Sequence, residues 1–361
     1  MDICFGLIGC GFISRKHLKA LASCSEGALL AVSDIDEERM EAAKTFYREH
    51  SGRTHQVKCY KDYKAMLSDQ EVDAVIIATI SGLHAEMAKE ALQANKHVIL
   101  EKPMALSIED SNELIRLARL KQKQLMICHQ LRFLPIMQKV KSVLDEGKLG
   151  KLLLGTASIR LNRSPEYYAS AAWRGKWAAD GGMLINQGIH LVDLLQWFLG
   201  DVESVYGEIG KAESDIKETE DVAAGVLRFK NQALGMIEAN IVTRPHNLGY
   251  SLTLFGDKGT ICIEGAALNQ ITRWSIDGDT TCAEAFQPLL MNTKEETSMY
   301  ENFIEAVRSH DKHVLVDGVE GKKALEIIFA LYQSDLSKAP VRLPLKSFST
   351  SNMCKKEGKP S

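Results

Sequence analysis

Ile3-Cys4-Phe5-Gly6-Leu7-Ile8-Gly9-Cys10-Gly11-Phe12-Ile13-Ser14 opens with an apolar strand, turns on glycine and enters a helix that reaches roughly Leu21. The first glycine permits the turn. The second leaves room for a ligand to approach the unpaired N–H groups of the helix start. Ser14 stands where a third glycine is usual, so the motif alone is weak. Its context strengthens it. A second strand over 28–32 ends at Ser33-Asp34, about twenty residues beyond the glycines, where a carboxylate can bind both hydroxyls of an adenosine ribose. A pyrophosphate would then rest on the helix N-terminus. Asp34 also repels a 2′-phosphate, which favours NAD over NADP, while Arg39 offers some tolerance of NADP. Asp36-Glu37-Glu38 reads as the N-cap and acidic first turn of the next helix, so the two aspartates divide the roles.

Strand–helix alternation continues, with strands over 57–60, 73–79, 97–100 and 125–128 and helices over 62–67, 83–94 and 108–123. The expected fold is α/β: an N-terminal doubly wound parallel sheet of the Rossmann type, with ligands at the carboxyl ends of its strands. Gly9, Asp34, Thr79, Glu101, Lys102 and Gln130 all fall at such ends. With Gly11, Phe12, Ile13, Arg39 and His84 they make up the candidate cofactor site. Lys102 ends an apolar strand just before Pro103. Near a nicotinamide its ammonium could hydrogen-bond a substrate oxygen and, if desolvated, accept a proton. His17 also sits at a helix start, where structural histidines are common, and stays outside the set.

The chain changes character after Arg132-Phe133-Leu134-Pro135. Longer, often alternating strands are expected over 152–161, 202–209, 223–229, 233–241, 251–255 and 260–264, joined by turns such as Gly256-Asp257-Lys258-Gly259. They form an open, mainly antiparallel sheet in a second α/β domain, with amphipathic helices over 295–308 and 319–337. The expected division is 1–129 for the nucleotide domain, 130–348 for substrate binding and oligomerisation, and 349–361 as a polar, disordered tail. Alternating Val226, Ile237, Leu252, Leu254 and Ile261 suggest a sheet face covered by another subunit, in a homodimer or homotetramer; the competing reading turns all five toward the helices.

Asp180-Gly181-Gly182 leads into a helix built of Leu191, Val192, Leu194, Leu195, Phe198 and Leu199. At about 100° per residue, Asn186, His190, Asp193 and Trp197 share one stripe of it. Polar groups on so apolar a helix need partners or a pocket, which points to an active site where this helix and the Lys102 domain meet. His190 and Asp193 show no third ligand, so no metal is expected.

With 361 residues, 45% hydrophobic, 25% charged and a formal net charge of −3, the chain reads as a two-domain globular protein. No basic stripe suggests nucleic acid, and no apolar run suggests a membrane partner. Eight scattered cysteines without a Cys-x-x-Cys pair, and a start that runs straight into a strand, suggest a reduced, cytoplasmic protein. Cys4, Cys59, Cys128 and Cys262 read as small hydrophobes in apolar strands.

Gly9-x-Gly11, Ala78-Thr79, His84, Asn95-Lys96-His97-Val98, Glu101-Lys102-Pro103 and the 181–193 segment together resemble the Gfo/Idh/MocA oxidoreductases over roughly residues 3 to 345. Arg163-Ser164-Pro165-Glu166-Tyr167-Tyr168, Trp173-Arg174-Gly175 and Asn186-Gln187-Gly188-Ile189-His190 look most like the UDP-N-acetylglucosaminuronate 3-dehydrogenases within it. The resemblance implies that Lys102 and His190 are the catalytic pair, and that bound NADH is recycled by a keto acid. Asn186 stands where many relatives carry Asp; an amide orients but does not titrate. Arg163, Tyr168, Arg174, Asn186, His190 and Lys102 form the candidate substrate site, with Tyr167 and Trp173 as further candidates.

The expected reaction is oxidation of a secondary alcohol on a sugar or sugar nucleotide, with hydride passing to NAD and the proton to His190 or Lys102. An inositol or simple-sugar dehydrogenase is the first alternative. A non-catalytic NAD-binding sensor or scaffold is the second.

Overall fold

In the computed structural model, residues 2–212, 216–281, 283–309 and 312–355 are described. The chain divides into two compact units, 1–133 with 294–322 and 134–293 with 323–361.

The first unit is built on β1 (Ile3–Ile8), β2 (Gly27–Ser33), β3 (Lys58–Tyr60), β4 (Ala74–Ile77), β5 (His97–Leu100) and β6 (Leu125–Ile127). All pairings are parallel, in the order β3-β2-β1-β4-β5-β6. Its central strands are continuous apolar runs because helices bury both faces, and Ala74 to Ile77 and Val98 to Leu100 have no exposed surface. Register determines what lies at the carboxyl edge. Ile8 pairs with Ser33 and Ile77, Ile77 with Leu100, and Leu100 with Ile127, so Gly9, Asp34, Ala78, Glu101 and Cys128 emerge side by side. Strand order reverses at β1 and β4, the switch point where such sheets open a crevice.

Residues 294–322, read from sequence as part of the second domain, cluster with the first unit. The helix Glu295–Arg308 buries Met299, Tyr300, Phe303 and Ile304, and the rings of Tyr300 and Phe303 lie 5.8 and 6.0 Å from that of Phe5. Amphipathic spacing identifies a helix and its apolar face, but not the core that receives it.

The second unit contains β7 (Leu152–Arg160), β8 (Val202–Gly210), β9 (Val222–Phe229), β10 (Leu234–Asn240), β11 (Gly249–Gly256), β12 (Gly259–Gly265), β13 (Gln270–Ile276) and β14 (Val341–Arg342). They form one sheet, β13-β12-β11-β7-β10-β9-β8-β14, antiparallel except for the β7–β10 pair. The edge strands β13 and β14 were not expected from sequence. β13 is largely exposed and lacks a clean apolar face, and β14 is two residues long. The helix Ile189–Leu199 packs on β7, and the helix Gly318–Ser337 reaches β8, where Ser334 accepts the Gly207 N–H at 3.1 Å.

The five apolar residues assigned to the open face need correction. Ile237, Leu252, Leu254 and Ile261 are at most 2% exposed and point into the core; only Val226, 49% exposed, lies outside. Side chains alternate at a period of two, so Val226 faces opposite to Leu227 in β9. The exposed face instead carries Tyr206, Val226, Leu234, Met236 and Phe255. Ser349 to Lys355, read as the start of a disordered tail, includes the 3-10 turn Thr350–Lys355 with Thr350 and Met353 buried. Residues 356–361 of that expected tail lie outside the described residues. Among the described cysteines all are free; Cys128 is buried, but Cys59 is exposed rather than a core hydrophobe. No helix among the described residues is long and apolar enough to cross a membrane.

Candidate active site

In the first unit, Gly9 adopts φ +92°, and a β-carbon there would stand 2.7 Å from the Ala78 carbonyl oxygen. Only glycine fits. A β-carbon on Gly11 would meet nothing within 4 Å, so the space above the turn is open to a ligand. The helix Ser14–Ser23 starts with no side-chain cap and no acidic residue, leaving its N–H groups and partial positive charge for an anion. Ser14, in place of the third glycine, is absorbed locally, its hydroxyl donating to the Gly11 carbonyl at 2.5 Å. Phe12 is 91% exposed and Ile13 half-buried.

Asp34 accepts the Cys10 N–H on Oδ2 at 2.8 Å and the Asp36 N–H on Oδ1 at 3.0 Å. Each oxygen therefore has one backbone donor, and a carboxylate has acceptor capacity to spare for a diol. Asp36 caps the helix Glu37–Ser51 by accepting the Glu38 and Arg39 N–H groups, as the division of roles requires. The Arg39 guanidinium pairs with Asp36 at 3.2 Å. Gln130 opens the 3-10 turn Gln130–Phe133, and its Oε1 is buried without a hydrogen-bond partner among the described residues. An open glycine turn, an uncapped helix start, a carboxylate with spare acceptor capacity and an unmet amide oxygen together fit a dinucleotide.

His84 differs from the cofactor contact expected of it. It is 1% exposed, with Nδ1 2.7 Å from the Pro103 carbonyl and Nε2 3.2 Å from the Thr79 carbonyl. It ties the ends of β4 and β5 together. Burial pushes its imidazole pKa down, against the pull of both carbonyls. Thr79 directs its hydroxyl to the Met87 sulfur at 3.6 Å.

Glu101 belongs to a buried chain that sequence reading left out. Its Oε1 lies 3.0 Å from His17 Nε2, and His17 Nδ1 lies 2.9 Å from the Tyr300 hydroxyl. Its Oε2 accepts the Lys102 N–H at 3.1 Å. Burial alone would raise the Glu101 pKa, but the His17 hydrogen bond and the nearby His17 and Lys102 charges bring it down to about 2. His17, Glu101 and Cys128 place ligand-type atoms within 4.8 Å of one another, yet His17 and Glu101 already bind each other. A histidine one turn into the first helix was the only sequence signal for this network.

In the second unit, Leu184–Gly188 is a π-helical turn that continues into the helix Ile189–Leu199. From Gly181 to Leu199 only Asn186, His190 and Trp197 escape burial. The expected stripe is present except for Asp193, which is 1% exposed. Asp180 bridges the approach. It accepts the Gly175 N–H at 2.8 Å and the Asn186 side-chain NH2, which orients that amide.

Tyr167, rather than Tyr168, occupies the centre of the aromatic and basic cluster. The Arg174 guanidinium stacks 4.2 Å from its ring and Arg163 5.2 Å from it, and Gln187 donates to its hydroxyl at 3.2 Å. Tyr168 is 7% exposed, buried beside Gly175 under the Lys217 ammonium, and desolvation raises its phenol pKa. Trp173 stacks with Arg174 at 4.6 Å, while Trp177 is core, edge-on to Tyr332 at 5.3 Å. Arg163 Nε, Arg174 Nε and Gln187 Oε1 are buried without a hydrogen-bond partner among the described residues. Two guanidinium groups with unmet donors suit an anionic ligand.

A six-stranded parallel sheet carrying this glycine turn, with a carboxylate at the end of its second strand, has the form of an NAD-binding Rossmann domain. Residues 3–129 match the profile described as "Oxidoreductase family, NAD-binding Rossmann fold", and 137–262 match the "GFO/IDH/MocA C-terminal domain". The chain belongs to the GFO/IDH/MocA oxidoreductases and is an NAD-dependent enzyme acting on CH–OH groups. It is 28% identical over 348 residues to the myo-inositol 2-dehydrogenase of Thermotoga maritima, covering 94% of this chain and 98% of that one. The WlbA dehydrogenase of Bordetella pertussis, solved with NADH and UDP-GlcNAcA, superposes with a TM-score of 0.85 at 33% identity, covering 96% of this chain and all of that one. Levoglucosan dehydrogenase with NADH gives 0.84 at 20% identity over 95% of this chain and all of that one, a likeness of fold.

Proposed function

We propose that the enzyme oxidises a secondary alcohol on the sugar of an anionic sugar nucleotide, of the UDP-N-acetylglucosaminuronate type. The observation that carries this reading is the Arg163–Tyr167–Arg174 stack with its buried, unmet guanidinium donors. A neutral polyol gives such a clamp nothing to neutralise, whereas a diphosphate or uronate does. The likeness to the WlbA structure supports the same choice.

NAD, when bound, supplies the nicotinamide ring that accepts a hydride. Gly9, Gly11, Phe12 and Ile13 form its phosphate turn, Asp34 reads its ribose, and Gln130 is a further contact. Arg39 pairs with Asp36 at 3.2 Å, and Asp34 at that edge disfavours a 2′-phosphate. Thr79, His84 and Glu101 shape the strand ends around the ring. Lys102 hydrogen-bonds the reacting hydroxyl and offsets negative charge developing on its oxygen. As the alcohol's C–H bond breaks, its O–H proton passes to an imidazole nitrogen of His190, whose residue type titrates nearest neutrality. Asn186, held through Asp180, orients the sugar without exchanging a proton.

Mass-spectrometric detection of the oxidised, two-hydrogen-lighter product, with NAD+, a keto-acid acceptor that returns NADH to NAD+, and a panel of UDP-N-acetylglucosaminuronate, UDP-N-acetylglucosamine, hexoses and myo-inositol, tests this assignment. Turnover confined to the uronate nucleotide supports it. Turnover confined to myo-inositol selects the polyol reading, and NADH binding without turnover on any substrate selects the sensor.

Self-association through the exposed sheet face is part of the proposal. Val226 and Met236, 49% and 50% exposed, pair across β9 and β10 as contiguous apolar surface. Val226→Glu with Met236→Glu should yield monomers by light scattering; an unchanged mass would remove this face from consideration.

A further inference from the structure

Lys217-Glu218-Thr219-Glu220-Asp221 looks in sequence like a solvated charged turn ahead of β9. In the structure Lys217, Thr219, Glu220 and Asp221 are buried. Glu218 accepts the Trp177 N–H at 3.2 Å and pairs with Lys176 at 2.8 Å, and its own N–H donates to the Gly175 carbonyl at 2.8 Å. The Lys217 ammonium donates to the Glu220 carbonyl at 2.9 Å and pairs with Asp221 at 3.1 Å. The segment thus braces the backbone leading into the Asn186–His190 turn.

Glu220 completes the brace. Its Oε1 accepts the Leu184 N–H at 2.9 Å and the Tyr332 hydroxyl at 2.7 Å. Leu184 begins the π-helical turn, whose preceding residue, Met183, provides no side-chain cap. The first N–H groups of a helical segment lack internal partners, and a side-chain oxygen from elsewhere can satisfy one of them. The approach is tight. Gly182 has φ +103°, and a β-carbon there would stand 2.5 Å from the Tyr332 hydroxyl and 2.6 Å from Glu220 Oε2. Oε2 itself is buried and makes no hydrogen bond among the described residues.

We propose that Glu220 is a positioning residue: through Leu184 it fixes the turn that presents Asn186 and His190, and Tyr332 holds it in place. This rests on the dehydrogenase reading for its catalytic consequence, but not for its structural one. The titratable groups around Glu220 are Tyr332 on the long helix, Asp180 on the glycine approach, Tyr168 on the short helix Pro165–Ala169, and Lys217 and Asp221 on its own segment.

The test combines hydrogen exchange with kinetics in the full chain. Glu220→Gln keeps an acceptor at Oε1, whereas Glu220→Ala removes it. Exchange of a peptide covering residues 182–190 should accelerate about fivefold or more in Glu220→Ala and stay within about twofold of wild type in Glu220→Gln, the effect of a lost cap. In step, kcat should fall about tenfold or more in the alanine variant and recover to within about threefold in the glutamine variant. NADH affinity should be unchanged in both. Tyr332→Phe, which removes one donor and keeps the ring, should loosen the same peptide to a smaller degree, and it decides the matter if Glu220→Ala does not fold. Wild-type exchange in the alanine and phenylalanine variants would overturn the proposal. A wild-type enzyme inactive on every substrate would overturn the dehydrogenase reading instead, while the exchange data still settle the role of Glu220.

Discussion

Two buried glutamates, Glu101 in the first unit and Glu220 in the second, undergo opposite changes. Burial pushes both carboxyl groups up. At Glu101 the His17 contact and the neighbouring Lys102 charge overcome that push and leave it at about 2. At Glu220 the partners are an N–H and a hydroxyl, and it comes out at about 7. Lys217, whose charge acts only weakly on Glu220, gives its ammonium to backbone carbonyls and to Asp221. A buried carboxylate keeps its charge when a cation compensates it; hydrogen bonds from neutral donors do not suffice here. Glu101 therefore serves as a fixed negative charge beside Lys102, and Glu220 as a structural acceptor near its point of neutralisation.

The largest effects expected from this contrast concern the groups that each glutamate supports. Lys102→Ala and His190→Ala should each lower kcat by about a thousandfold or more, with NADH binding retained in the histidine variant, as measured by steady-state kinetics and fluorescence. A loss of less than tenfold would dissociate both glutamates from catalysis.

Stability against pH should separate the two glutamates themselves. The folded pKa of Glu220, about 7, exceeds its ordinary 4.5, so the folded protein binds the extra proton between those values. Its burial becomes costly as pH rises from 4.5 to 7, by about 3 kcal/mol at most. Urea melts of Glu220→Gln should therefore gain on wild type across that window and run parallel outside it. Glu101 has the reverse sign. Its folded value of about 2 lies below the ordinary 4.5, so its contribution is complete above 4.5 and is lost as pH falls toward 2. The advantage of wild type over Glu101→Gln should shrink in that acid range. A pH-independent difference in either case would erase the contrast.

A smaller effect is expected where the compensation is removed. His17→Ala should cost about 2 kcal/mol at pH 7, since it strands a buried hydrogen-bonding carboxylate. Asp34→Ser should weaken NADH binding about tenfold, with little effect on the urea midpoint, because its function is to meet a ligand. An unchanged NADH affinity would remove Asp34 from the crevice.

What could be read from sequence was local. The strand-to-helix turn at Gly9, the carboxylate of Asp34 at the end of β2 and the cap at Asp36 depend on neighbours a few residues away, and the structure has all three at those positions. The stripe of Asn186, His190 and Trp197 followed from helical spacing alone. Long-range placement was less legible. Alternation groups residues within one strand, but only the β9–β10 register, which pairs Met236 with Val226, shows that Ile237 and Val226 face opposite ways. Tyr167 and Tyr168 are adjacent and chemically alike, and only packing against Arg174 or Gly175 distinguishes them. Glu220 was hidden because a charged run is ordinarily solvent-exposed, and the glycine and tyrosine that enclose it lie 38 residues before and 112 residues after it.

Calorimetric titration of UDP-N-acetylglucosaminuronate into the NADH-saturated protein, alongside UDP-N-acetylglucosamine and myo-inositol, tests the central assignment most directly. The arginine stack predicts a saturable isotherm for the uronate nucleotide that weakens at least about tenfold in Arg174→Ala. Saturable binding of myo-inositol with no heat from either nucleotide would contradict it.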